Sequence, residues 1–574
     1  MKKPAARITA LSLSLLLMAG CATTSVAPVV SPAQQAAIAL LEQGKSREAA
    51  VQLEAEAGQA RGAQRSQLLA DAAFAWHDAG DSARARTLLA QLSPRQLSGT
   101  TRQRHALLVA ELALADRQPA AALQALAGGN AQQLPAALQP RWLLAQASAG
   151  EANGNPFAAA ASRARADSLL QGSARKDNQQ AIARLLAAVD DTTLAGRSAA
   201  LALGDPLYNH AGRALMARGL PLPRAFDADH DLHVDLGKRP PAERDGYRPP
   251  VKLAVLLPLS GNLATAAAPV RDGLLAAYYG EYRRRPEIQF FDTRGTAAGA
   301  TSAYDRAVAA GVDFVVGPLG RDEVEAVFAR DPSVPVLALN RGKDIPPAGN
   351  IAFSLAPEDD GLMAAEYLRG RERSRAVVIA SSDDNGRRAA AAFKERFVQR
   401  GGQVLASLSV SDNPADVSAQ LRAAGGADAV FLAVKGSQAR ALAPQLALSG
   451  LGGALRVGGS QLAAGTGKAE DDGTLDGIVF PGETWTARGV SGLPDANTLA
   501  STLPTARGGA ARLFAFGFDA WKLTAYLERL LTAPDAGVAG ATGTLYLDGF
   551  GNVMRKPAWS VFQGGRVQPI GDGR

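Results

Sequence analysis

The sequence predicts an α + α/β protein: an all-α N-terminal half of stacked helix pairs, then a two-lobed, doubly wound α/β half. Three observations carry this. From Gln34 to about Arg218 the chain is rich in Ala, Leu, Gln and Arg, and its apolar residues recur at helical spacing, as in Leu68, Leu69, Ala72, Ala73 and Trp76. From Gly219 to Pro250 that signal stops, and Pro221, Pro223, Pro240, Pro241, Pro249 and Pro250 mark an interdomain connection. After Pro250 apolar strands alternate with amphipathic helices, and the series runs twice, as a pair of parallel-sheet lobes would require.

The first element is not part of the folded body. Lys2, Lys3 and Arg7 precede an apolar or small-residue run from Ile8 to Met18, and Met18-Ala19-Gly20-Cys21 closes it. A basic start, a short apolar run and small residues before a cut site make a secretory signal, residues 1–20. The run is shorter than the ~20 apolar residues a spanning helix needs. Its end resembles the bacterial lipobox, which implies S-diacylglycerol and N-acylation of Cys21, the chain's only cysteine. Several acyl chains anchor stably where one does not. The plain alternative is a small apolar residue ending a signal. With one cysteine no disulfide can form within the chain. Ala22, rather than Asp, follows the cysteine, so the outer membrane is the expected address.

Residues 21–33 read as an extended Pro- and Thr-containing tether, and residues 34–235 as the helical domain. Punctuation recurs every 36 to 38 residues or so, at Gly44-Lys45, Gly80-Asp81, Asp116-Arg117 and Gly154-Asn155. That period lies close to the tetratricopeptide repeat, whose helix pairs stack into a solenoid with a concave face. An irregular Ala-rich bundle is the alternative, stronger after Gly154 where the copies degrade. Asp227, Asp229, His230, Asp231, His233 and Asp235 invite a metal site, but a polar loop with nothing to orient its ligands reads as solvated charge. Residues 236–250 are the linker.

The α/β half, 251–574, opens with strand Val251 to Pro258. Helix Ala268 to Arg284, strand Glu287 to Asp292, helix Ala300 to Ala310, strand Val312 to Gly317, helix Arg321 to Ala329 and strand Val334 to Leu339 complete the first run. Ile351 to Leu355 and helix Glu358 to Leu368 lead to the second. That run is strand Arg375 to Ala380, helix Arg387 to Gln399, strand Gln403 to Val410, helix Ala415 to Ala424, strand Ala427 to Val434, helix Gln438 to Leu448 and strand Leu455 to Gly458. Lobe 1 is therefore expected near 251–373 and lobe 2 near 374–485. The long helix Ala511 to Leu531 is free to return to lobe 1 with later segments.

No catalytic signature is present. Gly467-Lys468 lacks the rest of a phosphate-binding loop, Gly458-Gly459-Ser460-Gln461-Leu462 lacks the closing glycine of a nucleophile elbow, and all five histidines precede the α/β half. No catalytic residue, metal or cofactor is expected. The formal charge of +7 falls to about +4 without the signal, and no basic run interleaved with aromatics suggests nucleic acid. In open α/β sheets ligands sit outside the carboxyl ends of strands. Those loops here are Ser260-Gly261-Asn262, Gly317-Pro318, Asn340-Arg341 and Ser382-Asp383. They are candidate cleft residues or, equally, ordinary strand-to-helix turns and caps.

The segments Leu256 to Gly261, Val270 to Tyr279, Val316 to Leu319 and Phe516 to Trp521 resemble type I periplasmic binding proteins, which implies a Venus-flytrap fold. More narrowly, Pro258 to Tyr279, Val336 to Arg341, and Gly540 to Asp548 leading to Arg555, Trp559 and Phe562 resemble the LpoA family. That resemblance implies an outer-membrane lipoprotein without catalysis of its own, facing the periplasm. It would bind a class A penicillin-binding protein and stimulate peptidoglycan crosslinking. One departure stands out. Amino-acid-binding flytraps usually carry small hydroxyl residues after the Gly-Pro turn, where this chain has Leu319-Gly320-Arg321-Asp322-Glu323. That weakens the alternative, a periplasmic receptor for a small amino-acid-like ligand.

Overall fold

The computed structural model describes residues 32–227, 237, 239–343, 345–347, 349–463, 466, 468–533 and 536–571. The signal, Cys21, most of the tether and the Asp229 to Asp235 stretch lie outside the described residues. Two compact units divide the chain, one ending at Ala145 and one starting at Gln146.

The helical elements are α1 (Pro32–Glu42), α2 (Ser46–Gln59), α3 (Gly62–Asp78), α4 (Ser82–Leu89), α5 (Gly99–Ala115), α6 (Pro119–Leu126) and α7 (Gln139–Ala152). They continue with α8 (Pro156–Asp167), α9 (Gly172–Ala187), α10 (Asp191–Ala199) and α11 (Tyr208–Ala217). The recurring punctuation has a local cause. Gly80 takes φ +87°, a conformation that costs glycine little, while the Asp81 N–H donates to the Trp76 carbonyl. The Asp81 carboxylate then accepts from the Arg84 N–H at 2.8 Å and starts α4. Asn155 caps α8 and Asp190 caps α10 in the same way.

Within the first unit, polar side chains couple positions about one repeat apart. Ser66 donates to Gln96 at 2.8 Å, Thr101 to Asp71 at 3.0 Å and Gln103 to Gln133 at 2.8 Å. Arg104 pairs with Asp71 at 3.2 Å with both side chains buried. In the second unit, α8 to α11 enclose their own core of Phe157, Ile182, Leu185, Leu194, Leu207 and Leu215.

The α/β part begins with β1 (Lys252–Leu257), α12 (Ala264–Gly280), β2 (Glu287–Asp292), α13 (Ala297–Ala309), β3 (Phe314–Val316), α14 (Arg321–Phe328), β4 (Val336–Ala338) and β5 (Ile351–Ala352). The second run is α15 (Pro357–Arg369), β6 (Arg375–Ser381), α16 (Asp384–Gln399), β7 (Gln403–Val410), α17 (Ser418–Ala423), β8 (Ala429–Ala433), α18 (Gly436–Leu446) and β9 (Leu455–Gly458). Then come α19 (Ala469–Asp472), β10 (Val479–Gly482), α20 (Thr484–Arg488), α21 (Ala496–Thr502), α22 (Gly509–Thr532), β11 (Val538–Ala539), β12 (Thr544–Leu547), β13 (Val553–Lys556), β14 (Ala558–Gln563) and β15 (Arg566–Ile570).

Lobe 1 is a parallel sheet in the order β2-β1-β3-β4-β5. One face packs Leu253, Val255 and Leu257 against α12 and α22, and the other packs Ala254 and Leu256 against α13 and α14. Burial on both faces is why β1 reads as an unbroken apolar run. Helices α12 and α22 touch backbone to backbone: a Cβ on Gly273 would lie 1.9 Å from the Phe514 carbonyl oxygen. The long C-terminal helix thus returns to lobe 1 as expected. Lobe 2 is the sheet β15-β14-β10-β9-β8-β6-β7, with apolar cores on both faces.

Three expectations are corrected. Lobe 2 does not end near 485, because β14 pairs antiparallel with β10 and β15 with β14. Nor do the compact units part at the Pro-rich segment 236–250. They part inside α7, because helices after it bond to the α/β lobes, as Arg400 with Asp191 and Arg213 with Asp548 show. Helix α12 also starts at Ala264, earlier than Ala268, and ends at Gly280, short of Arg284, with Pro269 inside it.

Candidate functional site

The lobes are joined by chain crossings after β5, after β10 and between β13 and β14. Beside these crossings lies a cleft of about 570 Å³. Lobe 2 contributes Lys435, Gly436, Ser437 and Arg440 from the start of α18, with Ser460 after β9. Lobe 1 contributes Leu355 and the start of α22, including Gly508, Gly509 and Arg512, with Glu483 and Thr486 at the second crossing.

Local sequence explains the placement. Val434-Lys435-Gly436 is the loop at the carboxyl end of β8, and the Gln438 side chain accepts from the Lys435 N–H at 2.9 Å to start α18. Lys435 Nζ lies 2.8 Å from Asp412 and 3.4 Å from Asp383. Those two carboxylates, Asp412 first, hold the ammonium above its ordinary value. Arg440 pairs with buried Asp472 at 3.0 Å, and Arg512 with buried Glu483 at 3.2 Å. Behind the cleft, Ser460 gives both its N–H and its hydroxyl to Asp360, at 2.9 and 2.6 Å. Arg555 lies beside the same carboxylates, and burial pulls its guanidinium below its usual range.

The sequence-derived residues fall elsewhere. None of Ser260, Gly261, Asn262, Gly317, Pro318, Asn340, Arg341, Ser382 and Asp383 lines this cleft. Ser260 donates to Asp292 at 2.6 Å, and Asp292 also accepts from the Leu259 and Arg294 N–H groups. Those bonds outweigh desolvation and hold the Asp292 carboxyl low. Gly261 and Asn262 are exposed beside it. Gly317 is packed so closely that a Cβ would lie 2.0 Å from the Leu256 carbonyl oxygen, and it precedes Pro318 by a cis peptide. Asn340 donates to the Leu319 carbonyl at 3.0 Å. Arg341 bridges to Asp359 on α15 through two bonds of 2.7 and 3.2 Å. Burial opposes its charge, but Asp359 overrides that and raises it. Asp383 caps α16 through the Gly386 N–H at 2.8 Å, the main cause of its low pKa. Ser382 is exposed, and its carbonyl accepts from Arg387 at 2.6 Å.

The structure therefore gathers Ser260 to Asn262 with the Asp292 loop, and Gly317 with β1. It does not bring the lobe 1 loops together with Ser382 and Asp383 through any bond among the described residues. Asp383 approaches the cleft only through Lys435. The residues that sequence reasoning missed, Lys435, Gly436 and Ser437, stand at a strand end and were within reach of the same rule. Glu483 and Arg512 carried no such signal.

Chemically the cleft is charge-compensated, its ion pairs set among apolar residues such as Leu355, Ala511 and Leu513. Each of its cations already has a carboxylate partner, and no histidine or cysteine stands among the described residues lining it. Among the described residues no group of three or more His, Cys, Asp or Glu could hold a metal ion. No helix among them is long and apolar enough to cross a membrane.

Residues 45–201 and 247–565 match the family model described as "LppC putative lipoprotein". A Vibrio antiquarius protein named penicillin-binding protein activator LpoA is 25% identical over 355 residues, covering 54% of this chain and 57% of that protein. Its namesake from Photobacterium profundum is 28% identical over 358 residues, covering 56% of this chain and 57% of its own length. The chain thus spans little more than half the length of these relatives. The solved structure of Haemophilus influenzae LpoA superposes with a TM-score of 0.55 at 21% identity, covering 91% of this chain and 98% of the other, which shows a shared fold.

Proposed function

The chain belongs to the LppC lipoprotein family, and we propose that it is a non-catalytic, outer-membrane-anchored activator of a class A penicillin-binding protein that stimulates peptidoglycan crosslinking. The observation that carries this reading is the family match on both halves of the chain, with curated relatives named as penicillin-binding protein activators. Cys21 is the proposed lipid attachment point, on the strength of the basic start, apolar run and Ala-Gly-Cys end of the first 21 residues.

An activator acts only by binding the crosslinking-competent state of its synthase more tightly than the idle state. The full lipidated chain, added in detergent to a purified class A synthase with lipid-linked precursor, should raise the crosslinked fraction severalfold. It should release no fragments from isolated cell wall. An unchanged crosslinked fraction, with tight binding of an amino acid by the chain, would replace this reading with the receptor one. Palmitate labelling that persists in Cys21→Ser would remove the anchor assignment.

A further inference from the structure

Lobes joined by a few crossing segments can rock about them, and flytrap folds use that freedom to close on a ligand. In this chain a third body touches both lobes. Toward lobe 2, Arg400, just past α16, places its Nη2 3.0 Å from the carboxylate of Asp191, the first residue of α10. Asp191 also takes Arg218 Nη1 at 2.9 Å. The same Arg400 reaches Glu366 on α15 at 3.3 Å, and Arg396 reaches Glu366 at 3.4 Å. Arg396 and Arg400 are each only 14% exposed, while Asp191 is 49% exposed, so the lobe side of this junction is dry and the α10 side meets water. Helix α9 packs on α16 beside it.

Toward lobe 1, α11 meets the turn between β12 and β13. Arg213 Nε lies 3.0 Å from the fully buried Asp548 carboxylate, and its guanidinium stands 5.0 Å over the Phe550 ring. The His210 and Phe550 rings are 4.5 Å apart. Asn209 donates to the Gly549 carbonyl at 3.5 Å, and the fit is so close that a Cβ on Gly549 would lie 2.2 Å from Asn209 Nδ2. That turn belongs to lobe 1, since Leu547 and Val553 on either side enter its core and Asn552 bridges to Ala352 of β5.

We infer that helices α9 to α11 form a strap that fixes the two lobes at one separation, so that the cleft keeps its width whether or not anything occupies it. Contacts from one helical body to both lobes resist rocking. Lobe motion would have to break the Asp191–Arg400 pair or lift the Gly549 turn off Asn209. The strap goes beyond the activator reading and stands or falls separately from it, because its test involves no synthase.

The test is the distance between two spin labels on the full chain, with Cys21→Ser leaving Ala309→Cys on α13 and Ala419→Cys on α17 as the only thiols. Both alanines are exposed. One narrow distance is expected, broadening at least twofold when Asp191→Ala or Arg213→Ala frees either end. Arg86→Ala, in α4, should leave it unchanged. A wild-type distribution already as broad as the variants', or no broadening in variants that keep their far-ultraviolet circular dichroism, overturns the strap. Should Asp191→Ala not fold, Asp191→Asn removes the charge while keeping the shape and gives the same readout.

Discussion

The helices before Ala145 and those after it share composition and punctuation, yet spend their polar side chains differently. In the first set they turn to neighbouring repeats: Ser66 to Gln96, Thr101 to Asp71, Arg141 to Glu111 at 2.5 Å. In the second set such pairs persist, as Arg184 with Glu151 and Arg197 with Asn155, but a few side chains also turn to the α/β lobes, Asp191 to Arg400 and Arg213 to Asp548. Apolar periodicity makes a helix in both cases. What each helix joins is decided by the few charged and small residues on its outward face. A repeat pattern alone therefore overstates how far a solenoid extends.

The comparison breaks most sharply at Asp71. Its side chain is fully buried with Arg104, and Asp71→Ala would strand that guanidinium at a cost of about 3–5 kcal/mol. Amide exchange should accelerate through α3 to α5 and stay unchanged in β6 to β8. Equal acceleration in both places would erase the distinction between the units.

The second set should answer to pH instead. Burial lowers His210 to about 4 from its ordinary 6.5, so between those values the unfolded chain binds a proton that the folded chain refuses. Stability linked to His210 is then fully present above about pH 6.5 and lost as pH falls towards 4, by on the order of 3 kcal/mol. Asp519 has the opposite sign: burial raises it to about 6, so its ionisation costs stability as pH rises towards that value. The difference in melting temperature between wild type and His210→Phe, followed from pH 7.5 to 5, isolates the histidine. A constant difference across that range contradicts its assigned burial.

Gly549→Val should cost roughly 1–3 kcal/mol by overpacking against Asn209, with faster exchange in α11 and in the turn before β13. Unaltered exchange there would mean the docking is loose. The smallest effect belongs to Arg86 and Asp116, 2.9 Å apart but each 45% exposed. Arg86→Ala should lower the unfolding free energy from denaturant titration by no more than about 0.5 kcal/mol, and 0.5 M salt should remove even that.

Much of the α/β half was legible because its signals are local. Strands β2, β7 and β9 fall at the residues their apolar runs predict, and α14, α15 and α16 within a few residues. The tail was not. Strands β11 to β15 are mostly short, with glycines in several of the turns between them, and nothing in their sequence says which lobe each will join. The candidate site was legible in kind but not in place. The strand-end rule selected Ser260, Gly317, Asn340 and Asp383, whose polar groups are absorbed by neighbouring loops and caps. It passed over Lys435, and it could not see Glu483 or Arg512, which enter the cleft through a crossing and a returning helix.

By itself the sequence determined what nearest neighbours along the chain can decide. That includes the 3.6-residue and βα periodicities, the Gly-Asp and Gly-Asn helix breaks, and the confinement of every histidine to the region before β1. Only the tertiary structure decided which helices belong to which body, how the tail divides between the lobes, and which charges face the cleft. Those choices depend on shape and charge meeting across hundreds of residues. Asn209 must find room against Gly549, and Asp191 must find Arg400, before either contact stabilises anything.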